Sequence, residues 1–83
     1  MSVPEKTPTV PILSKRELEV VVAWLNAVSK REVGTLLGVS EDTVRTHIAR
    51  VREKYMSVGR PAGTKSDLMV RLIQDGLFDL RNS

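Results

Sequence analysis

Gly38 is the residue that most restricts what this chain can fold into. It stands between two apolar-periodic runs in KREVGTLLGVSEDTVRTHIA, residues 30–49, where glycine alone takes a left-handed backbone without a Cβ clash. Val33 and Leu37 before it, and Val39 and Val44 after it, are spaced to bury two short helices against each other at a steep angle. Gly34 has no side chain to hold those helices apart, at a cost of about 1 kcal/mol of helix propensity relative to alanine. The segment therefore predicts a helix, a tight turn and a second helix.

Capping signals extend this reading along the chain. Ser14-Lys-Arg-Glu17 and Ser29-Lys-Arg-Glu32 both fit the capping box, in which the serine oxygen accepts from the N3 amide and the glutamate accepts from the serine amide. Ser40 opens a further helix, with Glu41 and Asp42 in its first turn, where the helix dipole stabilises acidic side chains. Apolar spacing then predicts four helices: Ser14 to about Ala27, with Leu18, Val21, Val22 and Leu25 inward; Lys30 to Leu37; Glu41 to about Tyr55, with Val44, Ile48, Val51 and Tyr55 inward; and about Ser66 to Asp75, with Leu68, Leu72 and Ile73 inward. Gly76 is expected to cap the last, and Leu77 and Phe78 to fold back over its end. Two glycines and a proline between Met56 and Lys65 exclude continuous helix there. The expected fold class is all-α.

The 83 residues suffice for one small core. Pro4, Pro8 and Pro11 make residues 1–12 an extended linker or N-terminal arm, residues 13–80 the folded domain, and residues 81–83 a tail. A linker so near Met1 suggests the C-terminal part of a larger protein. The absence of cysteine excludes disulfide staples and thiolate metal sites, and no stretch approaches the ~18 apolar residues of a membrane span. A cytoplasmic protein without cofactor or membrane partner is expected.

The net charge is +3, with a pI near 9.7. Its distribution is more telling than its total: eight basic residues face four acidic ones between Ser29 and Lys65, against five and six elsewhere. The outer face of the third helix carries Asp42, Arg45, Thr46, Ala49, Arg50 and Glu53. B-DNA's major groove admits one α-helix, whose N-terminal half reaches base edges while the preceding helix lies across the backbone. Arg45 is suited to a bidentate bond to guanine, and Thr46 to a thymine methyl, a base or a phosphate. Ala49 lets the helix sit deep. Arg50, Arg52, Lys54 and Lys30 are placed for phosphates, each with the alternative of a solvated charge or an ion pair at helical spacing, as Arg50 could form with Glu53 three residues on. His47 reads as a partly buried residue with its nitrogens satisfied locally, or in touch with a phosphate; a metal site would need ligands this sequence lacks. Trp24 reads as a core or core-edge filler.

Leu13-Ser-Lys-Arg-Glu-Leu-Glu-Val20, Ser29-Lys-Arg-Glu-Val33, Leu37-Gly-Val-Ser-Glu41, Thr43-Val-Arg-Thr-His47 and Val51 together resemble the LuxR/GerE (NarL-type) helix-turn-helix output domain of bacterial transcription regulators. The likeness runs from Leu13 to about Phe78. It implies a four-helix LuxR-type fold that binds double-stranded DNA, with backbone contacts at Lys30 and Thr43, base-facing positions at Arg45, Thr46 and Ala49, and His47 beside the core. It also implies a homodimer through the last helix, exposing Asp67, Val70, Arg71 and Gln74, an N-terminal receiver or sensor domain, and RNA polymerase as a further partner. Lys30, Gly34 and Ala49 depart from the family's usual asparagine, alanine and longer polar residue, so the preferred sequence should differ from that of other members. Val58-Gly-Arg-Pro-Ala-Gly-Thr-Lys65 resembles a loop variant of actinobacterial two-component response regulators. Gly59-Arg60-Pro61 also matches half of a minor-groove AT-hook, although an ordinary loop, with or without a phosphate contact from Arg60, is the default.

An enzyme is not expected. One histidine, no cysteine, no clustered carboxylates and no phosphate-cradling glycine loop leave little from which to build an acid-base or nucleophilic centre. Only 4% of residues are aromatic, too few to stack single-stranded nucleic acid. The alternatives are a protein-interaction module on the same scaffold and a sigma-factor-like promoter-reading domain.

Overall fold

A computed structural model of the chain describes residues 9–79. Most of the expected linker and all but one residue of the stretch after Phe78 lie outside them. Four helices follow in order, α1 Lys15–Leu25, α2 Lys30–Leu37, α3 Glu41–Ser57 and α4 Lys65–Gln74, with no strand among the described residues. The protein is all-α, and α3 packs against both α1 and α2.

The caps explain where the helices begin. Ser14 Oγ accepts from the Glu17 amide while Glu17 Oε1 accepts from the Ser14 amide, completing the box at α1. At α2 only half the box forms. Ser29 Oγ accepts from the Glu32 amide, but Glu32 Oε1 accepts from the Val28 amide, one residue earlier than expected. Ser40 caps α3. A further box forms at α4, where Thr64 and Asp67 exchange both bonds; it carries no signal in the sequence because aspartate at N3 lies outside the usual Glu/Gln pattern.

Gly38 adopts φ 72°, and the Val39 amide donates back to the Gly34 carbonyl at 2.9 Å. This return brings the turn so close that a Cβ on Gly34 would stand 2.7 Å from the Val39 carbonyl oxygen. The glycine is therefore a packing requirement, and its propensity cost is the condition for so tight a turn.

The core comprises Val20, Val21, Trp24, Val33, Val44, Ile48, Val51, Tyr55, Ala62, Leu68, Leu72 and Phe78. In α3 the inward residues are those the spacing predicts. In α1 the buried stripe is Glu17, Val20, Val21 and Trp24, one residue earlier than expected, while Leu18, Val22 and Leu25 are only partly buried. The displacement has a physical cause: a carboxylate occupies a core-facing position, which apolar counting steps around. Ile73 is 38% exposed instead of core. In α4 the stripe narrows to Leu68 and Leu72, and the chain returns at Gly76, φ 72°, to bury Phe78.

Candidate nucleic-acid interface

Two internal ion pairs hold α3 from behind. Lys54 Nζ lies 2.6 Å from Glu17 Oε1 and donates to the Ile12 carbonyl at 3.0 Å. Burial pushes the Glu17 carboxyl's pKa up, but bonds from the Lys54 ammonium and from Ser14, with the Lys54 charge, more than reverse this and bring it below the ordinary 4.5. The folded chain therefore binds this proton less readily than the unfolded one. Its stabilisation is complete above the ordinary carboxylate pKa and is lost as pH falls through the lower folded value. Glu17→Gln is expected to flatten the acid limb of stability, so that wild type and variant converge on acidification; thermal unfolding between about pH 7 and about pH 3 measures this.

The second pair lies beneath the loop after α3. Arg60 Nη2 and Nη1 donate to Asp75 Oδ1 and Oδ2 at 2.8 and 3.0 Å, and Arg60 also donates to the Thr9 carbonyl and Gln74 Oε1. Tyr55 OH donates to the same Asp75 at 2.7 Å. The guanidinium is buried, so neither the phosphate contact nor the half AT-hook considered for Arg60 fits this loop. Its charge serves to tie the loop, α4 and the N-terminal arm to α3.

With its inner face committed, α3 turns outward Asp42, Arg45, Thr46, Ala49, Arg50 and Glu53, all exposed. The Arg45 side chain is 58% exposed, and its guanidinium bonds Glu41 at 2.7 Å and lies 3.7 Å from Asp42. Both are pairs with its own first turn, worth only about 0.3–0.5 kcal/mol each at the surface. Thr46 Oγ1 donates to the Asp42 carbonyl, which leaves its methyl and oxygen lone pairs for a ligand. Arg50 has no ion pair among the described residues, with Glu53 or otherwise. Thr43 is half-buried, its hydroxyl 2.9 Å from Ser40 Oγ.

Other site residues are less free than the sequence implies. Lys54 is engaged at Glu17. Lys30 and Arg52 are half-buried, with their charged groups 5.5 and 5.3 Å from the centre of the Trp24 ring. His47 is half-buried with its Nδ1 buried and unpartnered, contrary to the local satisfaction expected of it. On α4, Val70 is exposed, whereas Asp67 caps the helix, Arg71 donates to the Pro61 carbonyl and Gln74 accepts from Arg60. Sequence reasoning missed the Glu17–Lys54 and Arg60–Asp75 pairs because their partners lie far apart along the chain, with no local motif joining them. Among the described residues there is no cluster of metal-ligating side chains and no helix long and apolar enough to cross a membrane.

A glycine-pinned turn that sets a long, outward-facing polar helix against two supporting helices defines a helix-turn-helix domain. Residues 11–60 match the family model of the bacterial regulatory proteins, luxR family. The spore germination protein GerE of Bacillus subtilis (strain 168) is 34% identical over 70 residues, which cover 84% of this chain and 88% of the relative. The chain belongs to the luxR family, whose members are DNA-binding transcription regulators rather than enzymes.

Proposed function

We propose that this domain reads the sequence of double-stranded DNA with the N-terminal half of α3 in the major groove. The observation that carries the reading is the exposed stripe of Arg45, Thr46, Ala49 and Arg50 on a helix whose opposite face is wholly buried. Arg45 exchanges its surface partner Glu41 for a guanine edge, Thr46 meets a base, and Ala49 allows close approach. Lys30, Thr43, Arg50 and Arg52 hold phosphates. Lys54 moves from the phosphate set to the frame, because Glu17 already holds its ammonium.

One such module buries only about 600–1,000 Å² of protein surface on DNA, which favours two copies on paired half-sites. Val70 and Ile73, both exposed on α4, supply an apolar seam for that homodimer, edged by Asp67, Arg71 and Gln74. In this reading the domain is the cytoplasmic output of a regulator whose N-terminal receiver or sensor domain governs it, and RNA polymerase is its downstream partner.

Binding at graded salt tests this. With a duplex selected from a random pool, log K is expected to fall linearly with log[salt], by about 0.9 per phosphate contact, and the selected duplex to outcompete a scrambled one. Salt-independent binding, or equal affinity for both duplexes, would contradict the proposal.

A further inference from the structure

Trp24 is the chain's one tryptophan and is 7% exposed. Three cations from three different elements converge on its ring: Lys65 Nζ at 5.0 Å, Arg52 Cζ at 5.3 Å and Lys30 Nζ at 5.5 Å from the centroid. Each is within the ~6 Å reach of a cation–π contact. Sharing one ring, no two of these charges can be more than about 11 Å apart, close to the ~8–10 Å over which physiological salt screens them.

The cluster differs from the other cations of the fold. The ion pairs among the described residues use Arg16, Arg45, Lys54 and Arg60; none of the three cations at Trp24 has a carboxylate among those residues. Lys65 donates to the Ala27 carbonyl, and Arg52 Nε is buried without a partner. An indole face attracts a cation but leaves its charge intact, so three positive charges gather here with no ion-pair partner for any of them among the described residues. Repulsion within such a group is relieved by an anion that offers several negative charges at regular spacing.

The position identifies that anion. Arg52 lies two turns, about 10 Å, along α3 from Arg45 and on the same flank. Where the N-terminal half of a recognition helix enters the groove, its C-terminal half passes the flanking backbone. Lys30 begins α2, whose N-terminal amides and dipole also favour an anion.

We infer that Lys30, Arg52 and Lys65, held in position by Trp24, form a clamp for consecutive DNA backbone phosphates beside the groove read by α3. This rests on the DNA-binding reading above and extends it: α4 joins the DNA surface through Lys65, its first residue, and Trp24 acts as a positioning residue. The ring fixes three flexible side chains before binding and so reduces the ordering cost on association.

Salt titrations of the full chain on the selected and a scrambled duplex test the clamp. Lys65→Gln and Arg52→Gln are each expected to weaken both duplexes equally, by about five-fold at 0.15 M salt, and to make the log K against log[salt] slope shallower by about 0.9. Lys65→Arg should restore the slope. Trp24→Leu should make it shallower while all three charges remain, with circular dichroism reporting whether the helices persist; if they do not, the two glutamine variants decide. If wild type binds with a steep slope and both glutamine variants keep that slope, the clamp is overturned, even if their affinity or melting temperature falls. If wild type shows no salt-dependent binding to either duplex, the DNA-binding reading itself fails.

Discussion

Asp75→Ala is expected to destabilise the domain by about 3–5 kcal/mol, enough to unfold much of the population of so small a protein. The Asp75 side chain is 1% exposed and that of Arg60 9%. Removing the carboxylate would strand a buried guanidinium and a phenolic hydroxyl together, and a buried charge deprived of its partner is among the few single changes with so large an effect. Burial, followed by the hydrogen bond and charge of Asp75, raises the Tyr55 pKa well above its ordinary value, so the phenol stays protonated in the fold. Replacing Arg60 and Asp75 together with apolar residues of similar volume should recover most of the loss, because neither charge is then left unpaired. Urea unfolding of the single and double variants measures both effects; a single variant within about 0.5 kcal/mol of wild type would show the pair to be dispensable. The network matters for function as well as stability, since Arg60 sets the loop and α4 against α3 and thereby places Lys65 and the proposed dimer seam.

Arg45→Ala should separate recognition from folding. Its guanidinium is exposed and paired only with Glu41 and Asp42 on the same helix turn, so the melting temperature should scarcely change. Discrimination between the selected duplex and one altered at the contacted guanine should fall by about 1–3 kcal/mol, or roughly five- to 150-fold, because a bidentate arginine fork has no substitute in alanine. Competition binding with single-base-pair variants of the duplex reads this directly. A variant that keeps the wild-type ranking of duplexes would remove Arg45 from the base-reading set.

What the sequence made legible were the features carried by local chemistry. Gly38 and the three serine caps mark the helix boundaries within a residue or two, and the inward stripe of α3 follows from spacing alone. Sequence and structure differ where distant residues meet. Glu17 sits in the core because Lys54, thirty-seven positions away, neutralises it, and a rule that treats charge as exposed must rotate α1 around it. Arg60 looks like a loop cation until Asp75 is placed beneath it. Lys65 lies forty-one positions from Trp24, and no local pattern joins them. The outer face of α3 was legible because a long helix with one buried side has an opposite side by geometry; the partners its side chains hold before DNA arrives were not.

Sequence reading by this domain depends on α3 entering the groove, and a nuclear magnetic resonance titration of the labelled chain with its selected duplex tests that most directly. The predicted result is a contiguous set of the largest shift changes at Arg45, Thr46, Ala49 and Arg50, flanked by Lys30 and Thr43. Resonances of α3 left unmoved while those of another surface shift would contradict it.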